Sequence, residues 1–208
     1  MKLNTGCMLL LFAVVALWVK NGFTVEPTPG VVGWRQAQWG MTETEVLAAF
    51  KGEAKTLKEV SHFGGKKDVP DSWTGYTSIG IDSVSISTGT FKVSFSFDRT
   101  SKGLTDVTLS NRNNMSERTQ PDRQADRLCE NLEKMLTEKY GAPTYSKTED
   151  DLEQRAPGLP SSFSKDISWK LQKTLIGLHY LYLRGTTISL MTVTYHNADV
   201  AKDGEDKL

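Results

Sequence analysis

The chain has 208 residues, of which 38% are hydrophobic and 24% charged, and its 25 basic and 25 acidic residues give a formal net charge of zero. This composition is typical of a globular protein with one good core or two small ones, and it excludes general disorder. Proteins that bind nucleic acid usually carry a concentrated basic surface, so the balanced charge argues against a nucleic-acid partner.

The first 22 residues have the layout of a secretory signal peptide. Lys2 precedes an apolar run over residues 7–19, and residues 20–22 end it. The run is shorter than the ~20 residues of a typical membrane-spanning helix, which favours a leader for export. We therefore expect a periplasmic or secreted protein. Because no clear small-x-small cleavage site follows the run, an uncleaved anchor in the inner membrane is the alternative.

The cysteine content predicts a fold without an internal disulfide. Cys7 lies in the leader, so Cys129 alone is left after cleavage, and the fold must depend on its core. Cys129 falls on the apolar stripe of a predicted helix, and no His or Arg pairing is evident that would lower its pKa. We interpret it as a buried small apolar residue and not as a reactive thiol.

A strongly marked helix start follows an expected linker over residues 23–32. Thr42 and Glu45 have the spacing of a capping box, in which each side chain accepts a hydrogen bond from the backbone N–H of the other. A helix is therefore expected over residues 42–50, with Gly52 as its left-handed terminator.

Three strands are predicted after the first helix. Residues 53–75 form a long polar connection, which we expect to be an exposed and functional loop. In residues 76–88 the apolar side chains first occupy odd positions and then even positions. The change occurs at residues 82–83 and predicts a bulge. Strict alternation over residues 91–97 predicts a strand with one wet face, and residues 104–110 form the third strand.

The second half begins with the longest predicted element. Apolar residues at spacings of three and four predict a helix over residues 125–140, ended by Gly141. A second polar connection over residues 142–165 is expected to be another exposed loop. In residues 175–183 apolar side chains occur at both odd and even positions, which predicts a central strand covered on both faces. The three strands expected in this half are residues 167–171, 175–183 and 187–196.

Both halves show the same order of elements: a helix, a long polar connection and three strands. We therefore predict an α+β domain over residues 33–198, built from the pseudo-repeats 33–112 and 119–198. In this fold both helices pack on one face of an antiparallel sheet. A flexible charged tail is expected over residues 199–208.

Two short motifs resemble those of a broad group of uncharacterised exported bacterial proteins. Residues 39–46 (WGMTETEV) match a WGM-S/T-x-x-EV helix start, and residues 136–143 (LTEKYGAP) match an L-x-x-K-Y-G-x-P helix end. The resemblance covers most of residues 33–196 and implies fold and export, since the group has no agreed activity. More loosely, the order of elements is similar to that of beta-lactamase inhibitor protein and of small outer-membrane assembly lipoproteins, which are binding proteins without catalysis. This chain lacks the lipoprotein cysteine.

No residues have the spacing of a catalytic or metal site. The histidines His62, His179 and His196 do not form a pair with the three-to-four spacing of a helical metal site. His179 lies in the densest apolar strand, where we expect a hydrogen-bonded core or sheet residue. We therefore predict no catalytic residues, no metal and no cofactor.

The candidate binding residues come from the two polar connections. A tryptophan at the end of a loop can anchor an interface, although tryptophans more often pack at the rim of the core. The acidic cluster could hold a basic partner or a cation, but it lacks the Asp-x-Asp-x-Asp-Gly pattern of calcium loops, which favours a solvated loop. The basic pair has the same alternative interpretation. The candidates are Trp73, Lys66, Lys67, Glu149, Asp150 and Asp151.

The leading hypothesis is an exported, non-enzymatic binding protein. It would recognise another protein or an envelope component through the exposed sheet face and the two long loops, with membrane contact only through residues 1–22 if these are retained. The alternative is a small hydrolase or small-ligand-binding protein with a pocket between helix two and the sheet. A spacer tethered to the inner membrane is a third possibility.

Overall fold

A computed structural model describes residues 31–63, 75–114, 121–151, 161–184, 186 and 188–200. The predicted leader, most of the linker and most of the tail lie outside these ranges. Within them, no helix combines the length and the apolar character needed to cross a lipid bilayer.

The described residues form ten strands and two helices. The first half contains β1 (Gly33–Trp34), β2 (Ala37–Gln38), α1 (Glu43–Ala49), β3 (Lys55–Phe63), β4 (Gly75–Ile86), β5 (Gly89–Asp98) and β6 (Leu104–Asn114). The second half contains α2 (Pro121–Tyr140), β7 (Tyr145–Asp151), β8 (Ser162–Lys170), β9 (Thr174–Leu183) and β10 (Ile188–Asn197).

The predicted α+β fold is wrong. The structure is mostly β, with 57% of the described residues in strands, and one antiparallel sheet of eight strands dominates it instead of two helix-plus-three-strand units with helices packed on a sheet. The strand order is β3-β4-β5-β6-β10-β9-β8-β7, so each half supplies a four-stranded meander and the two meanders join through their last strands. The physical reason for the error is one unrecognised strand in each half.

The two unrecognised strands, β3 and β7, are the edge strands of the sheet. They lie within residues 53–75 and 142–165, which were expected to be loops. The side chains of β7 are exposed from Tyr145 to Asp150, so the strand has no apolar alternation to mark it. The pairing of β3 with β4 shifts register between Thr56 and Ser61, which interrupts alternation there.

Several local predictions are confirmed. Both hydrogen bonds of the capping box are present, and the backbone N–H of Thr42 donates to Glu45 Oε2 at 2.8 Å. The register of β4 with β5 shifts between Ile81 and Val84, where the bulge was expected. Gly141, directly after α2, has a φ of +88°, a left-handed conformation that favours glycine.

The core of the first half contains a cluster of three aromatic rings. The ring centroid of Phe95 on β5 lies 5.3 Å from that of Phe50, which directly follows α1. It lies 6.1 Å from the ring centroid of Trp34 on β1. Trp34 and Phe50 stack at 5.8 Å. The same continuous core includes Leu132 and other apolar residues of α2. The strands β1 and β2 pair as a short antiparallel hairpin at the N-terminal end of the described chain. The rings thus join β5, this N-terminal hairpin and the end of α1 in one buried unit.

The prediction that residues 175–183 are covered on both faces is also wrong. Residues of β9 alternate between buried and half-exposed from Thr174 to Tyr180. Ile176 and Leu178 face the core, whereas Gly177 and His179 lie on the opposite side, which we call the outer face of the sheet. β9 has apolar residues at odd and even positions because it lies inside the sheet, between β8 and β10, and not because a second layer covers it.

Candidate functional site

A row of mostly small residues crosses the outer face from β4 to β7. The strand pairings place these residues side by side, one from each successive strand, so that the middle of the face lacks long side chains. In spatial order they are Gly80, Ser94, Thr108, Thr194, Gly177, Ser168 and Tyr145.

A hollow of about 270 Å³ lies at the β7 end of this row, and we call it the outer-face hollow. Gly177 lines it without a side chain, and a Cβ atom at that position would lie only 2.7 Å from Thr194 Oγ1. Tyr145, which is 51% exposed, stands at the same hollow. The arrangement presents an accessible aromatic ring beside an indentation in a polar surface.

Several charged groups on the outer face occur in opposite-sign pairs. His179 Nδ1 lies 2.5 Å from Asp166 Oδ1, and Lys147 Nζ lies 2.6 Å from Glu149 Oε1. The hydrogen bond with Glu149 raises the pKa of Lys147. These pairs are partly exposed and contribute little stability. A second histidine, His196, pairs with a carboxylate of β6 in the same way.

A larger cavity of about 450 Å³ lies between α2 and the core side of β7–β9, and we call it the α2 pocket. Its walls combine aromatic rings, carboxylates and two cationic side chains. The lining residues are Asp126, Cys129, Glu130, Asp150, Phe163, Lys165, Tyr180, Tyr182 and Arg184.

Both cationic side chains of the α2 pocket are bound to carboxylates. Lys165 Nζ on β8 lies 2.5 Å from Glu133 Oε2 on α2. Arg184, which follows β9, donates from Nη2 to Asp150 Oδ1 at 2.6 Å. Arg184 Nε is buried and has no hydrogen-bond partner among the described residues. The two ion pairs therefore leave one polar donor of the lining unsatisfied.

The hydroxyl group of Tyr180 is a fixed hydrogen-bond donor in the α2 pocket. It donates to Asp126 Oδ1 at 2.8 Å. Burial raises the pKa of Tyr180 strongly, and the hydrogen bond to Asp126 raises it further. The phenol therefore stays protonated at physiological pH and holds the Asp126 carboxylate in one orientation.

Cys129 is buried on α2, as predicted. Burial raises the pKa of the Cys129 thiol to about 11, and the neighbouring carboxylates of Glu133, Asp126 and Glu130 add to the rise. Since the thiolate is the reactive form of cysteine, this thiol is a poor nucleophile at neutral pH.

We expect Cys129 to resist alkylation in the folded protein. With the pKa near 11, its thiolate fraction at neutral pH is roughly 300-fold below that of an ordinary cysteine, whose pKa is about 8.5. Iodoacetamide labelling followed by mass spectrometry of the Cys129 peptide would measure the rate, with protein in denaturant as the control. Equal labelling rates in the folded and unfolded states would contradict the assignment.

The structure divides the predicted acidic cluster between two faces. Glu149 and Asp151 share the parity of Tyr145 on β7, which belongs to the outer face. Asp150 lies on the other side of the strand, where it lines the α2 pocket and binds Arg184. The other three candidates, Trp73, Lys66 and Lys67, lie outside the described residues. In the ranges that the structure does describe, no three metal-binding side chains converge.

Sequence analysis did not identify Tyr145, Lys165 or Arg184 as site residues. The first two fall in the expected loop over residues 142–165, and Arg184 falls between the strands predicted over residues 175–183 and 187–196. A signal was present for Lys165, because Phe163, Ile167 and Trp169 alternate with polar residues and could have extended β8 back to Ser162. The exposed strand β7 offers no such pattern.

Comparisons with protein-family models, with curated proteins and with solved structures find no significant match. The resemblance to exported bacterial proteins therefore rests on residues 39–46 and 136–143 and stays a prediction.

Proposed function

We propose that this chain is an exported, non-enzymatic binding protein that holds a polar surface of another protein against the outer face of its sheet. The observation that carries the proposal is the outer-face hollow with the exposed ring of Tyr145 beside it. Tyrosine is among the residues that most often dominate the energy of protein interfaces, because its ring adds contact area and its hydroxyl can hydrogen-bond.

The chemistry of the outer face favours a protein partner. Small hydroxyl side chains such as Ser94, Thr108 and Ser168 can exchange hydrogen bonds with a partner while little side-chain entropy is lost. On the described part of the outer face His179 is paired with Asp166 and Lys147 with Glu149, and this charge balance argues against a nucleic-acid partner. A neutral, hydrogen-bonding segment of a folded protein fits such a face best.

Export supports a partner in the periplasm or outside the cell. Residues 1–22 have a short apolar run after Lys2, which is typical of a secretory leader. Under this proposal the partner is another envelope or secreted protein, and the protein touches a membrane only if that segment is retained.

We expect Tyr145→Ala to weaken partner binding at least tenfold with almost no change in stability. The ring is 51% exposed, and substitutions at exposed positions usually change the free energy of unfolding by less than about 0.5 kcal/mol. A photo-crosslinking residue at Thr192 on the outer face would first be used to capture the partner from the native cell envelope. Unlabelled wild-type or variant protein is then added before illumination. The decrease in the yield of the adduct measures the relative affinity of the competitor.

Met135→Ala is a matched control for this experiment. Met135 is also a large exposed residue, 45% accessible, but it lies on α2. The control variant should compete as well as the wild type, and a crosslinker at Lys134 on α2 should not give the same adduct. Equal competition by Tyr145→Ala and wild type, or the same adduct from Lys134, would refute binding at the outer face.

A second candidate function is supported by a separate observation. The α2 pocket has a volume of about 450 Å³, which falls within the range of about 300–1,000 Å³ typical of small-molecule sites. Its described lining has a protonated thiol, Cys129, and no histidine to act as a general base. These features favour binding of a small ligand over the hydrolase alternative.

A further inference from the structure

We propose that the α2 pocket binds an organic cation, namely an ammonium group attached to an aromatic or otherwise apolar body. The proposal rests on the second candidate function, that this pocket takes a small ligand. It specifies the charge and shape of that ligand from the groups that line the cavity.

Two carboxylates of the lining make no ion pair with a cationic side chain of the described residues. Lys165 is neutralised by Glu133 and Arg184 by Asp150, at 2.5 and 2.6 Å. Asp126 and Glu130 also line the pocket, and no ion pair joins either to a described cation. They are four residues apart on α2, so both side chains lie on the same side of the helix. Together they give this wall of the pocket a net negative charge.

Asp126 is already oriented for a ligand. The protonated hydroxyl of Tyr180 donates to its Oδ1 atom, which restricts rotation of the carboxylate. The other oxygen, Oδ2, is the atom with which Asp126 could accept a hydrogen bond from an ammonium group. A carboxylate held in advance loses less conformational entropy when it binds a ligand.

Aromatic rings form the part of the pocket that would hold the body of the ligand. The rings of Phe163 and Tyr180 meet edge to face with centroids 6.0 Å apart, and Tyr182 lies on the same wall. Aromatic faces attract cations as well as apolar groups. A ligand that carries an ammonium group and a ring would use both the carboxylates and this wall.

An anionic ligand would meet unfavourable interactions in the same cavity. To reach Lys165 or Arg184 it would have to displace Glu133 or Asp150, and it would then face the charges of Asp126 and Glu130.

The test compares three indole compounds of similar shape and different charge on the full chain. Tryptamine carries an ammonium group, tryptophol a hydroxyl and indole-3-propionate a carboxylate. Binding to the full chain is followed by backbone amide chemical shifts in an NMR titration, which give both the affinity and the location. We expect tryptamine to shift residues of the α2 pocket saturably and to bind at least tenfold more tightly than the other two compounds.

Charge variants test the role of the carboxylates. Glu130→Gln should weaken tryptamine binding about two- to fivefold, the size expected for a partly exposed ion pair. Glu138→Gln, near the other end of α2 and outside the pocket, should leave the affinity unchanged. Both positions are exposed, so thermal unfolding should show that both variants fold like the wild type.

The possible failures are distinguishable. If tryptophol or indole-3-propionate binds the pocket as tightly as tryptamine, the cation proposal is refuted and the small-ligand function survives. If Glu130→Gln and Glu138→Gln bind tryptamine equally, the Glu130 carboxylate does not hold the ammonium group. The cation proposal is then refuted and the small-ligand function survives. If none of the three compounds shifts residues of the pocket saturably, the small-ligand function fails together with the cation proposal.

Discussion

Replacing Phe95 by alanine is expected to lower the free energy of unfolding by about 3–5 kcal/mol, the usual loss when a buried phenylalanine is truncated. Phe95 is fully buried, and its ring touches those of Trp34 and Phe50. Its removal leaves a cavity where strand β5, helix α1 and the N-terminal hairpin meet. Chemical denaturation followed by tryptophan fluorescence would measure the loss.

Lys92→Ala provides a control on the same strand. Lys92 is exposed on the outer face of β5, so its replacement should change the free energy of unfolding by less than about 0.5 kcal/mol. If Phe95→Ala lowered that free energy by no more than Lys92→Ala, Phe95 would not lie in a closely packed core and the aromatic cluster would be disproved.

Trp169→Ala should have a comparable effect in the second half, again about 3–5 kcal/mol. Trp169 on β8 is only 1% exposed, and its indole Nε1 donates to the carbonyl oxygen of Gly141 at 3.0 Å. The side chain thus fills the core and also binds the backbone directly after α2. Its truncation removes both interactions.

Trp169→Phe separates packing from hydrogen bonding. Phenylalanine keeps most of the apolar volume and loses the bond to Gly141, so the expected loss is smaller, about 1–2 kcal/mol. Because the eight strands form one sheet, denaturation of either Trp169 variant or of Phe95→Ala should remain a single transition. Two separate transitions, with each variant affecting only one, would show that the halves unfold independently.

Segments with one buried and one wet face were predictable from the sequence. Phe91, Val93 and Phe95 alternate with polar residues on β5, and in the structure their side chains are buried in the hydrophobic core. The capping box of Thr42 and Glu45 was predictable because it depends on residues only three positions apart. Such signals are local, so they do not require knowledge of the rest of the fold.

The errors came from parts of the fold that have no local signal. β7 is exposed along almost its whole length, so its residues need not alternate between polar and apolar. The fold class was wrong because β3 and β7 were assigned to loops, so the strand content of the sheet was underestimated. The α2 pocket was also beyond local analysis, because residues as distant as Asp126 and Arg184 meet only through tertiary packing.

The joining of β6 to β10 also affects the order in which the sheet can form as the chain is synthesised. β10, Ile188–Asn197, is the last strand of the sheet to be synthesised, and β6 pairs with it from Asp106 to Asn114. Until β10 emerges, one edge of β6 has unpaired backbone groups that can capture a strand of another chain. Completion of the sheet is therefore a late event, and a chain stopped before residue 188 would expose an aggregation-prone edge.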